Sequence, residues 1–195
     1  AYSKFNDREL TWNLRDAAHI FTTEAIAMMM ERFATNPAWL KDVVGVSEEE
    51  VKKISVAATK SLKLKMLVFS RWSQVMYRFE KAMYEDPSQD LNALWWKLVE
   101  KYQLVKKPEG RNEPDWASKI HIATVPAYYH NYLMGDLLAS QLHNYITANV
   151  LKLDENVPHS WKDKKEAGQY LVEKVFKPGM RYHWNEMIEK ATGEK

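Results

Sequence analysis

Residues 47–85 read SEEEVKKISVAATKSLKLKMLVFSRWSQVMYRFEKAMYE, and they decide the fold class. Ser47 followed three residues later by Glu50 has the form of a capping box, in which the hydroxyl and the carboxylate each bond the other residue's backbone N–H. Acidic side chains in the first turn also suit the helix dipole. From Val51 the apolar residues Ile54, Ala57, Ala58, Leu62, Met66, Phe69, Trp72, Met76, Phe79 and Met83 recur every three or four positions. That is the period of one helix face. No Gly or Pro interrupts before Pro87, so the spacing predicts one helix to about Tyr84, roughly 55 Å long at 1.5 Å per residue.

The same reading extends outward in both directions. Leu14 to Phe33 carries a broad apolar face at helical spacing, and Asn36-Pro37 ends or bends it. After the Asp86-Pro87-Ser88 turn, Leu91, Leu94, Trp95, Leu98 and Tyr102 mark a shorter helix. Residues 107–114 are loop by composition. Residues 115–125 are ambiguous between helix and extended chain. Pro126 suits the first turn of a helix running to about Leu151. Ser160–Asp163 offers a cap before helices over 164–176 and 182–191, which Pro178-Gly179 separates. The expected fold class is all-α, a bundle-like arrangement of about six helices within one domain over 1–195.

Composition excludes several functions. The chain has 195 residues, is 46% hydrophobic and 28% charged, and so belongs with globular proteins. Only six glycines and seven prolines are present, too few for a many-stranded sandwich. The absence of cysteine removes disulfides, thiolate zinc sites and a cysteine nucleophile. A net charge of +2 gives no large field for nucleic acid. No apolar run approaches the ~18 residues of a membrane helix, and the polar N-terminus is no signal peptide.

Local motifs alone do not settle the chemistry. None of His19, His121, His130, His143, His159 and His183 stands four before another, so no H-E-x-x-H helix is present. Phosphate-binding glycine loops and the G-x-S-x-G serine context are missing too. The fourteen residues Lys119–Tyr132 hold one Lys, two His and three Tyr. Tyr129 and Tyr132 share a helix face. Such donors either converge on a carboxylate or oxyanion, or pack in the core with satisfied hydroxyls. Glu24 sits among Ile20, Phe21, Ala25, Ile26, Met28 and Met29. It either ligates a cation, pairs with Arg15 or a lysine, or lies on an exposed edge.

Taken in order, these segments resemble a known family. Leu14-Arg15-Asp16-Ala17-Ala18 leading to Thr23-Glu24-Ala25-Ile26 is similar to L-R-x-x-A…H-E-A-I. Trp95-Trp96-Lys97-Leu98 with Lys101-Tyr102-Gln103 is similar to W-W-x-L-x-x-K-Y-Q. Ser118 to Ile122 resembles A-K-F-H-I. Tyr129, Tyr132, Gln141 and His143 fit Y-x-x-Y…Q-F-H. Residues 165–169 and Thr192-Gly193 match K-E-A-G-Q and T-G. This is the pattern of the C-terminal third of an angiotensin-converting-enzyme-type zinc peptidase, a peptidyl dipeptidase of the gluzincin class.

The resemblance implies roles position by position. Glu24 would be the third zinc ligand, completing two histidines and leaving an open position for an acidified water. His121 would hydrogen-bond the substrate backbone. Tyr132 would stabilise the tetrahedral oxyanion. Lys119 and Tyr129 would clamp the substrate's terminal carboxylate. Zinc is the implied cofactor and a peptide the implied substrate.

The departures are specific. Thr23 stands where the family has His, and Ala27-Met28 where it has Gly-Asp. One extra residue between His121 and Tyr129 makes Tyr128 the alternative clamp. Asn131 replaces the arginine that holds chloride, so chloride activation is not expected. The missing cysteines point to a bacterial relative. The family's second zinc histidine lies about two dozen residues before the ligand Glu, which falls ahead of Ala1. The expectation is therefore a C-terminal fragment, inactive alone, whose partner is the missing N-terminal part. An apolar face exposed by that absence could also support a homodimer. The resemblance implies periplasmic or secreted residence. The alternative reading is a non-enzymatic helical interaction module, or a relative that has lost its metal.

Overall fold

A computed structural model describes residues 1–194. These residues contain helices and no strand, so the protein is all-α with bundle-like helical packing. The main helices are α1 (Ile20–Glu31), α2 (Glu48–Glu85), α3 (Leu91–Gln103), α4 (His130–Tyr145), α5 (Lys165–Leu171) and α6 (Trp184–Thr192). Two compact units are distinguishable. One joins Ala1–Thr59 to the segment from Met134 onward, and the other is Lys60–Leu133.

The long helix forms over 38 residues. Its capping box is closed in both directions. The Glu50 N–H donates to Ser47 Oγ and the Ser47 N–H to Glu50 Oε2, each at 3.3 Å. Lys53 pairs with Glu49 one turn earlier at 2.7 Å, a contact worth about 0.3–0.5 kcal/mol on an exposed helix.

The helix expected from Leu14 begins instead at Ile20. His19 is extended and its Nδ1 accepts the Phe21 N–H at 3.3 Å. Upstream, side chains compete for the backbone. Asp16 Oδ1 takes the Ala17 N–H at 2.7 Å, and the Arg15 guanidinium donates to the Leu10 and Arg8 carbonyls. The Leu14 carbonyl is also engaged elsewhere, by the Met180 N–H at 2.9 Å. Gly179 makes that contact feasible. It has φ +55°, and a Cβ there would lie 2.5 Å from the Leu14 oxygen. Asn36 both closes this region and opens the next, because its side chain accepts from the Ala38 and Trp39 N–H groups.

Asp90 caps α3, accepting the Ala93 N–H at 2.9 Å. Residues 115–125, open between helix and extended chain in the sequence, contain a 3₁₀ turn (Asp115–Ser118) and a short helix (Ile120–Ala123). The cap expected at Ser160–Asp163 does not form: α5 starts after Lys164 with no side-chain cap bond, and Trp161 and Asp163 are both left-handed just before it. α4 begins at His130 rather than in a first turn at Pro126, and past it a π-turn over Ile146–Val150 carries the chain to Leu151, where the helix was expected to end.

In the first unit, Phe21, Ala25 and Met29 of α1 pack with Leu138, Ala139 and Leu142 of α4 and with Met187, Ile188 and Ala191 of α6. In the second, Val75, Met76 and Phe79 of α2 pack with Trp95 and Val99 of α3, Ile122 and Tyr129. Trp95 meets Trp72 and Phe79 edge-on, with centroids 5.7 and 5.2 Å away. Edge-to-face pairs add about 0.5–1.5 kcal/mol each beyond area burial.

Candidate functional site

The second unit gathers the residues of the 119–132 segment on the α2 face formed by Phe69 and Trp72. Helical spacing puts Tyr129 and Tyr132 side by side, with ring centroids 5.2 Å apart. The short helix at 120–123 presents His121 to both, at 5.0 Å from Tyr129 and 5.6 Å from Tyr132. His121 Nε2 and the Tyr132 hydroxyl are in hydrogen-bond contact at 3.1 Å. Lys119 lies with its ammonium 5.4 Å from the Trp72 ring centroid, a cation–π contact.

Trp72 links these groups. Its indole N–H donates to the Tyr129 hydroxyl at 2.8 Å. That bond occupies an acceptor position and leaves the phenolic proton free to point at another oxygen. Burial pushes the Tyr129 phenol above its ordinary value, against the Trp72 hydrogen bond, so the proton stays on at neutral pH. Tyr129 is buried and Tyr128 only half-buried. The chain therefore places Tyr129, not Tyr128, against Trp72. Tyr128 stacks edge-on against Tyr132 at 5.2 Å.

An open groove of about 940 Å³ runs from this point along α3, lined by Trp72, Trp95, Trp96, Arg111, Ser118 and Lys119 among others. Trp96 donates to Asp115 Oδ2 at 3.0 Å, and Arg111 is ion-paired with the same carboxylate. This pairing holds the Asp115 carboxyl below the usual carboxylate range, chiefly through the Arg111 hydrogen bond.

Glu24 belongs to the first unit. It is half-buried on α1 where α4 crosses. Gly135 permits that crossing, because a Cβ there would lie 2.9 Å from the Glu24 Cβ and 3.2 Å from the Ala25 nitrogen. Two turns further on, Arg32 pairs with Asp136 at 3.1 Å and donates to Ser140 Oγ at 2.9 Å. The remaining motif residues act in the scaffold. Gln141 donates to Thr192 Oγ1 at 2.7 Å, and Gly193 ends α6 at φ +77°. His143 stacks on Trp161 with centroids 4.9 Å apart and planes 12° from parallel.

Trp72 was not singled out by the sequence, because it falls on the apolar stripe of α2 and reads as core. Glu80 was missed as well. The signal available for it was a carboxylate beside Phe79 on that same stripe.

The family model described as "Angiotensin-converting enzyme" matches residues 2–195, and the chain belongs to that peptidase family. The angiotensin-converting enzyme of Theromyzon tessulatum is 26% identical over 121 residues, covering 61% of this chain and 19% of that protein. The chain thus spans about a fifth of the length of this curated relative. A solved structure described as "BsuCP Crystal Structure" matches 100% of this chain and 42% of its own with a TM-score of 0.68. At 20% identity that likeness concerns the fold alone. The family is generally zinc-dependent. Among the described residues no group of three or more His, Asp or Glu side chains comes together to hold a metal.

Proposed function

We propose that this chain is the C-terminal portion of a zinc metallopeptidase that cuts peptides from their C-terminus. In this reading Lys119 and Tyr129 bind the substrate's terminal carboxylate. The ammonium supplies charge, and the phenol, held by Trp72, supplies a directed proton. His121 bonds the substrate backbone, and Tyr132 donates its hydroxyl to the oxyanion that develops at the scissile carbonyl. Glu24 is this chain's contribution to a zinc site whose other ligands lie outside it.

The observation that carries the reading is the contact between His121 Nε2 and the Tyr132 hydroxyl at 3.1 Å. Two polar groups that the resemblance assigns to the substrate, His121 to its backbone and Tyr132 to the oxyanion, are adjacent, with Tyr129 beside both. The contact restrains the imidazole and the phenol before substrate arrives, and a preorganised donor lowers the barrier more than one that must reorient.

The test uses the protein made from its complete reading frame. Tyr132→Phe should lower kcat by about 10²–10³ while leaving KM within about threefold, the signature of a lost transition-state donor. An unchanged kcat would refute the role. Hydrolysis that survives removal of metal by a chelator would refute the zinc reading.

A further inference from the structure

Glu80 is a carboxylate in the second half of α2 and is only 6% exposed. It stands next to Phe79, which is fully buried. A buried carboxylate needs hydrogen-bond donors, and the donors here are informative. The Tyr84 hydroxyl, one turn along α2, donates to Glu80 Oε1 at 3.0 Å. The other donor is the backbone N–H of Ala127, 47 residues away, bonded to the same oxygen.

Ala127 has φ +54°. Residues with a Cβ rarely enter the left-handed region, because Cβ crowds the carbonyl there, so the surrounding structure must hold them. The bond that the Ala127 N–H donates to the buried Glu80 carboxyl supplies such a hold. The turn lies between His121 and Tyr129, directly ahead of the tyrosines. With Ala127 left-handed, Tyr129 meets Trp72 and Tyr132 meets His121. A slip by one residue would offer Tyr128 to Trp72 and bring Asn131 to His121, replacing a phenol with an amide.

We propose that Glu80 is a positioning residue that sets the register of the Tyr128–Tyr132 segment through the Ala127 N–H. Its bearing on catalysis rests on the peptidase reading above, whereas the register itself does not.

The test is therefore made on the ¹⁵N-labelled chain without any activity assay. The Trp72 indole resonance, assigned with Trp72→Phe, reports the bond to Tyr129, and the Ala127 amide reports the turn. Glu80→Gln keeps an acceptor oxygen, so both signals should stay near their wild-type positions. Glu80→Ala should move the Trp72 indole and speed Ala127 exchange by about tenfold or more. Adding Ala127→Gly to Glu80→Ala should return the indole toward its wild-type position, because glycine enters the left-handed region without help. The proposal is overturned if Glu80→Ala leaves both signals unmoved, or if Glu80→Gln disturbs them as much. If Glu80→Ala does not fold, the wild-type amide decides. Ala127 exchange slowed about a hundredfold or more relative to the unfolded chain supports the bond, and an unprotected amide removes it.

Discussion

The Trp72 indole N–H and the Tyr129 hydroxyl are 57 residues apart in sequence and 2.8 Å apart in the fold. The bond joins the long helix to the segment that carries Lys119, His121 and Tyr132. It also gives a buried phenol a fixed orientation. Trp72→Phe deletes the donor together with part of the ring that packs on Trp95. The lost hydrogen bond alone should cost about 0.5–1.5 kcal/mol of stability, with the lost packing added, measured as a lower urea midpoint at unchanged slope.

Gly135 lets α1 and α4 touch at Glu24. The Cβ of Gly135→Ala would meet the Glu24 Cβ and the backbone of Ala25, and backbone cannot rotate away. The better helix propensity of Ala is therefore outweighed. Overpacking of this kind costs about 1–3 kcal/mol, and chemical denaturation should show that loss. Gly168, also helical, has open space around its Cβ position. Gly168→Ala should instead stabilise by about 0.5–1 kcal/mol, a control measured in the same way.

His143 titrates below its ordinary 6.5, mainly because burial disfavours the imidazolium, with the nearby charges of Arg32 and His159 acting in the same direction. The unfolded chain therefore takes up this proton first as pH falls. The contribution to stability is complete above pH 6.5 and declines below it, down to the folded-state value. His143→Gln should flatten the acid side of the stability curve in that window, read from denaturation midpoints at a series of pH values.

The all-α class and the long helix were legible because periodicity and capping are local. The Ser47 and Glu50 hydrogen bonds follow from residues three apart. The helix start at Ile20 was only partly legible: the His19 and Asp16 contacts are local, but Met180 takes the Leu14 carbonyl from across the sequence. The left-handed turn at Ala127 was hidden for the same reason, since its partner Glu80 lies on another helix. Lys119, His121, Tyr129 and Tyr132 could be nominated from their order along the chain. Their mutual contacts could not, because both Trp72 and Glu80 read as ordinary members of α2.

Lys119 has its own prediction. Lys119→Met keeps the aliphatic stem over Trp72 and removes the charge. If the ammonium binds a terminal carboxylate, KM for peptides with a free C-terminus should rise by about ten- to a hundredfold, equivalent to about 1.5–3 kcal/mol for a charged hydrogen bond.

The most direct measurement compares kcat/KM for one peptide with its C-terminus free and amidated, using the complete protein and its Lys119→Met variant. The account predicts a strong preference for the free acid that collapses in the variant. Equal rates on both peptides in the unmodified protein, or a preference that survives loss of Lys119, would contradict it.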